Sequence, residues 1–97
     1  MLSRPQIAFL RSQAHGYKPI VRVGQKGLTD AVVAELERAL DDHELVKIRL
    51  AGGGRDERST WVRQLCDRTG AEPVQQIGAT ATLFRRNPER PRITLPD

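Results

Sequence analysis

The stretch Ile20–Leu50, IVRVGQKGLTDAVVAELERALDDHELVKIRL, decides how this chain folds. It opens on a β-branched run, Ile20-Val21-Arg22-Val23, which reads as a strand. Two glycines, Gly24 and Gly27, then bracket Gln25 and Lys26. Thr29 is a good helix N-cap, with Leu28 and Val33 at staple positions. Val32, Val33, Leu36 and Leu40 recur at helical spacing. Leu45–Leu50 alternates and reads as a second strand. A strand, a helix and a strand in succession favour a parallel pair joined by a right-handed crossover.

Upstream, Ser3 and Gln6 match a capping box, with Leu2 and Ile7 as its hydrophobic staple. A first helix is expected from about Arg4 to His15, with Ile7, Leu10 and Ala14 on one face and Gly16 as its C-cap. Downstream, Ala51–Gly54 must be a loop. Asp56 is expected to cap a third helix through Thr69, with Trp61, Val62 and Leu65 apolar and Gly70 as its stop. Val74–Ile77 and Ala81–Arg85 form a hairpin around Gly78-Ala79-Thr80. The order is αβαβαββ: one small α/β domain over residues 1–86, with helices packed on a mixed four-stranded sheet. Residues 87–97 hold Pro88, Pro91 and Pro96 and read as a loosely ordered basic tail.

Composition narrows the function. Of 97 residues, 38% are apolar and 29% charged, as in soluble globular domains. No run approaches the roughly 20 apolar residues of a membrane span, and no signal peptide is visible, so the cytoplasm is the expected compartment. The single cysteine, Cys66, allows no internal disulfide. The net charge is +4 and unevenly spread: residues 1–29 carry five bases and no acid, whereas residues 30–44 carry six acids and one base. A solubilising surface would account for the net value alone. The segregation into a positive and a negative face points to a polyanionic partner.

The GxxG loop fits that partner. Parallel strands end at one sheet edge, so Gly24–Gly27 and Gly52–Arg55 should line it together, where open α/β sheets bind ligands. Both loops feed helix N-termini, whose free N–H groups and dipole favour phosphate. Glycine lets a phosphate backbone approach the main chain, as in the GxxG loop of KH domains, and Lys26 adds a point charge. A lone GxxG is more often only a turn; the acid-free flank favours the functional reading.

Other constellations carry less. His15, His43 and Cys66 lack metal-ligand spacing. Ser59, Thr60 and His43 form no nucleophile–base arrangement, and Gly52–Gly54 lacks a P-loop ending, so neither catalysis nor a cofactor is expected. Trp61 and Phe84 read as packed residues rather than stacking platforms.

The chain resembles the YhbY-type CRM domain family over residues 2–86. The resemblance rests on FLRSQAH (9–15), KPIVRVGQKGLTDAVVAELERAL (18–40), HELVKIRL (43–50), the Asp56-Glu57-Arg58 helix start, and GAEPVQQIGATATLFRR (70–86). It implies a fold similar to the C-terminal domain of bacterial initiation factor three. It also implies RNA binding through the GxxG loop and neighbouring basic surface, and association with precursor large ribosomal subunits. The family's loop usually reads Gly-Lys-x-Gly, whereas here the lysine is the third residue, Lys26. Ala79 stands where many members have arginine, and the triple glycine at 52–54 is richer than usual.

The expected RNA-binding residues are Gly24, Gln25, Lys26, Gly27, Lys18, Arg22, Arg4, Arg11, Arg55, Arg58 and Arg85. The expected partner is large-subunit rRNA, bound by a monomer. The alternative is a protein–protein adaptor that docks a basic ribosomal protein on the acidic second helix.

Overall fold

A computed structural model describes all residues, Met1–Asp97. The elements are α1 (Arg4–Ala14), β1 (Val21–Val23), α2 (Asp30–His43), β2 (Leu45–Leu50), α3 (Arg55–Thr69), β3 (Glu72–Ile77) and β4 (Thr80–Phe84). The sheet order is β1-β2-β4-β3, with β1 parallel to β2 and the other two pairs antiparallel. The mixed sheet expected from the element order is thus formed.

Local signals account for most boundaries. At α1, Gln6 N donates to Ser3 Oγ and Ser3 N to Gln6 Oε1, which closes the capping box. At α2, Val32 N donates to Thr29 Oγ1. Gly70 ends α3 in the left-handed conformation, with φ 76°. Three expectations are corrected. The C-cap of α1 is His15, still in the right-handed helical region, rather than Gly16. The N-cap of α3 is Gly54, so Asp56 lies inside the first turn and its side chain caps nothing. The last pair of strands is displaced: β3 begins at Glu72, before Val74, and β4 spans Thr80–Phe84, leaving Arg85 beyond its end. Because β3 is an edge strand it accommodates Pro73, and the register shifts between Pro73 and Gln75.

The two sheet faces are covered unequally. Val21, Val23, Val46, Ile48, Leu50, Ala81 and Leu83 form one face, and α2 and α3 seal it with Leu36, Leu40, Trp61, Val62 and Leu65. On the other face α1 packs Leu10 and Ala14 over Leu45, Val74 and Phe84. These last three lie toward the end of the sheet remote from the glycine loops, so the remainder of that face has no helix over it.

Where the sequence reading expects a loosely ordered tail, the structure lays residues 87–97 against the α1 side. Ile93 and Leu95 pack on the smaller core, and Gln6 Nε2 donates to Pro96 O. The anchor is Glu44, fully buried at the end of α2 with φ 63°. Its carboxylate accepts from Asn87 N (2.6 Å), Arg92 N (2.7 Å) and Ile93 N (2.9 Å). Arg85 N donates to its carbonyl oxygen. A positive φ is costly for glutamate, and these bonds hold it there. Burial pushes the Glu44 carboxyl upward; the three N–H donors, with Arg86, outweigh that and hold it below the ordinary carboxylate range.

Candidate nucleic-acid interface

The GxxG segment is a four-residue turn. Gly27 N donates to Gly24 O at 2.9 Å, leaving Gln25 and Lys26 exposed at the tip. Gly27 has φ 72°, a conformation that favours glycine. The second glycine loop lies beside it: Ala51 N donates to Val23 O at 2.8 Å and ties the ends of β1 and β2 together. Gly52 and Gly53 also have positive φ.

Both loops rest on one side chain. Trp61, on the buried side of α3, lies against Gly27 and Gly53. A methyl group would meet its Cζ2 at 3.6 Å from Gly27 and its Cη2 at 2.9 Å from Gly53. The indole therefore supports the edge from beneath, and the Glu57 carboxylate also lies against Gly53, where a methyl group would meet its Oε1 at 2.5 Å. Trp61 is a packed residue, as its sequence pattern suggests, and it is also what joins the two loops.

The helix ends at this edge differ from each other. The N-terminus of α2 is closed by Thr29, and Asp30 in its first turn pairs with Arg68 at 2.9 Å. The N-terminus of α3 has no side-chain cap at all. It is the more open of the two ends to an anion, although Asp56 and Glu57 occupy its first turn. Arg55 and Arg58 line a polar groove there with Ser59, Gln76 and Gly78. The Nε of Arg58 is buried without a hydrogen-bond partner.

The structure divides the expected residues. Gly24–Gly27, Arg22, Arg55 and Arg58 gather at the edge where β1 and β2 end. Lys18 lies in the α1–β1 connection, lining a groove with Lys47 and Arg92. Arg11 lines another with His15 and Gln75. Arg4 starts α1 at the opposite edge, where Leu2 N donates to Glu72. Arg85, also at that opposite edge, is engaged internally. Its Nη1 donates to Glu37 Oε2 (2.8 Å) and Thr69 O (2.7 Å), and its Nη2 to Asp41 Oδ1 (2.8 Å). Arg85 therefore fastens α2 to the end of α3 and is not available as the others are. Missing from the expected set are Lys47 and Arg49, which alternation along β2 puts on the same sheet face as Arg22; that alternation was readable in Leu45–Leu50. Cys66 is set apart: burial, with Asp67 and Glu72 adding, pushes its thiol up to about 11, so it is protonated at neutral pH.

Element order, sheet order and the paired glycine loops define a small three-helix α/β domain with one open, basic edge. The model of the CRS1/YhbY (CRM) domain matches residues 2–85, and the chain belongs to that family. It is 43% identical over 88 residues to a probable RNA-binding protein of Pseudomonas aeruginosa, covering 91% of this chain and 85% of that one. An RNA-binding protein of Haemophilus influenzae is 40% identical over 98% of this chain and 95% of its own length. The solution structure of a hypothetical Staphylococcus aureus protein, proposed to bind RNA, superposes with a TM-score of 0.86 at 30% identity, covering 99% of this chain and all of that one.

Proposed function

We propose that this protein binds RNA, and that it acts in the cytoplasm as a monomer during assembly of the large ribosomal subunit. The GxxG turn and the basic residues beside it clamp the RNA backbone. The observation that carries this reading is the pair of glycine loops seated on Trp61, which sets the exposed Gln25-Lys26 tip of the GxxG turn at the same sheet edge as Arg55 and the uncapped end of α3. A phosphate at the GxxG turn would meet Gly24, around which a methyl group would find nothing within 4 Å, and it would offer acceptors to the uncapped end of α3 and to the exposed Arg55. The names of the relatives support RNA as the ligand. The placement in subunit assembly rests on the family resemblance alone.

The adaptor reading has less support, because the acidic face of α2 is partly committed within the molecule. Glu37 and Asp41 pair with Arg85, and Asp30 pairs with Arg68.

The test is a titration of structured large-subunit rRNA with wild type and Gly27→Asp, which adds bulk and negative charge at the turn. Affinity should fall strongly while circular dichroism and melting show a retained fold. Unchanged affinity in a folded variant would reduce the loop to a turn. Absence of RNA affinity in the wild type at low salt, with ribosome association retained, would favour the adaptor.

A further inference from the structure

The uncovered part of the sheet has a composition that solubility alone does not require. Arg22 and Arg49 are register partners across β1 and β2, and Arg49 in turn faces Thr80 on β4. Lys47 lies two residues along the same strand and on the same face. By sheet geometry these three positions are separated by steps of about 5–7 Å at the backbone. None of them takes part in an ion pair; those of the chain engage Arg68, Arg85 and the N-terminus. The acid at this face, Glu72, lies at the far end of β3 and accepts from Leu2 N.

Two large apolar side chains border these cations. Tyr17 and Ile77 are 41% and 66% exposed, and they line one shallow groove with Lys47, Arg49 and Thr80. Elsewhere the chain buries its large apolar residues well: apart from Met1, only Tyr17, Ile20 and Ile77 are exposed. A solvated sheet face needs polar residues of either sign. A face that carries cations of one sign beside an exposed aromatic ring matches what unpaired nucleic acid requires, namely charge for the phosphates and a flat surface for a base.

We propose that this open sheet face is a second RNA-contact surface, which takes a single-stranded segment: Tyr17 stacks on a base while Arg22, Lys47 and Arg49 hold phosphates. The inference rests on the RNA-binding reading above and extends it from the loop edge to the sheet. The two surfaces are continuous. Arg22 stands two residues before Gly24, and Arg49 three residues before Gly52, so a strand gripped at the glycine loops can run on across the sheet. The specification of single-stranded RNA follows from Tyr17, since stacking on a side chain needs a base released from its own helix.

The test compares an unstructured oligouridylate with a fully paired RNA duplex by fluorescence anisotropy, for wild type, Arg49→Glu, Tyr17→Ala, Tyr17→Phe and Lys26→Ala. Arg49 and Tyr17 are exposed, so all of these should melt as wild type does. Tyr17→Ala should weaken single-strand binding about fivefold or more and leave duplex binding unchanged, while Tyr17→Phe retains affinity. Arg49→Glu should weaken single-strand binding at least as much. If Lys26→Ala weakens binding but Arg49→Glu and Tyr17→Ala do not, the sheet face is excluded and the loop reading stands. If Arg49→Glu weakens both RNAs equally and Tyr17→Ala weakens neither, the stacking mode is wrong. If wild type binds neither RNA but still binds structured large-subunit rRNA, the sheet face is excluded and the loop reading stands; if it binds none of the three, both readings fall.

Discussion

Gly53 lies so close to Trp61 that a methyl group on it would meet indole Cη2 at 2.9 Å, well inside ordinary contact. Gly27 approaches the same ring less tightly, at 3.6 Å, and Gly24 has no neighbour within 4 Å. Gly27 and Gly53 also have positive φ, whereas Gly24 does not. Alanine substitutions should therefore destabilise in a fixed order. Gly24→Ala should cost no more than about 0.5 kcal/mol. Gly27→Ala, strained only in its backbone, should cost about 1 kcal/mol. Gly53→Ala adds overpacking against Trp61 and against the flexible Glu57 carboxylate, which a methyl group would meet at 2.5 Å, and should cost about 2 kcal/mol or more. Urea unfolding measures all three. Equal values for Gly24→Ala and Gly53→Ala would mean that the second loop is not seated on the indole.

Glu44 makes the fold sensitive to acid. Its native carboxyl titrates below the ordinary value of 4.5, so its contribution to stability is complete above that value and is lost as pH falls through the lower native one. Glu44→Gln removes the charge that three N–H groups converge on and should cost about 2–3 kcal/mol at pH 7. The gap between variant and wild type should narrow as pH drops below the ordinary carboxylate range. Thermal melts from pH 7 to strongly acidic buffer test this, and limited proteolysis should show the tail of Glu44→Gln cut first. A gap that stays constant with pH would mean that the carboxylate charge is not what fixes the tail.

Arg85, engaged within the molecule, should behave differently from a cation of the proposed RNA surface. Arg85→Ala leaves Glu37, Asp41 and the Thr69 carbonyl without their donor, and should lower stability by about 2 kcal/mol. RNA affinity should be unchanged under conditions where the variant is folded. Arg55→Glu, at the open end of α3, should do the reverse, reducing affinity with little effect on melting. If Arg85→Ala impairs RNA binding as much as Arg55→Glu, the RNA surface extends to the opposite sheet edge.

The sequence made the parallel β1–α2–β2 unit legible because its signals are local: a β-branched run, Thr29 as a cap, apolar residues at helical spacing, then alternation. Gly54 as the N-cap of α3 was less legible, because Asp56 is the better cap by residue type and a glycine shows no capping side chain. The role of Glu44 was hidden entirely. Its partners stand 43 to 49 residues away in a proline-rich segment that looks unstructured by composition. Arg85 and Arg55 look alike in a sequence, and only the pairing of α2 with the end of β4 shows that one of them is already neutralised. The candidate site was legible as a motif at a sheet edge; the sheet face beside it needed the uneven coverage by α1 to appear.

Lys26 gives the most direct test of how the loop works. It is exposed at the tip of the turn, where it can reach a phosphate without displacing any contact of its own. Aromatic residues make up only 4% of the chain, so lysine, arginine and backbone N–H contacts to phosphate should supply most of the affinity. Binding should then depend strongly on salt and only weakly on sequence. Each single-strand phosphate neutralised contributes a slope of roughly −0.7 to log K against log salt. Lys26→Ala should weaken binding about equally across RNAs of different sequence, and it should make that slope shallower by an amount on the order of one phosphate contact. Titrations of several RNAs at several salt concentrations, wild type against variant, measure both quantities. Loss of affinity for one sequence alone, with the slope intact, would mean that Lys26 reads a base, and a clamp on the phosphate backbone would then be the wrong mechanism for the turn.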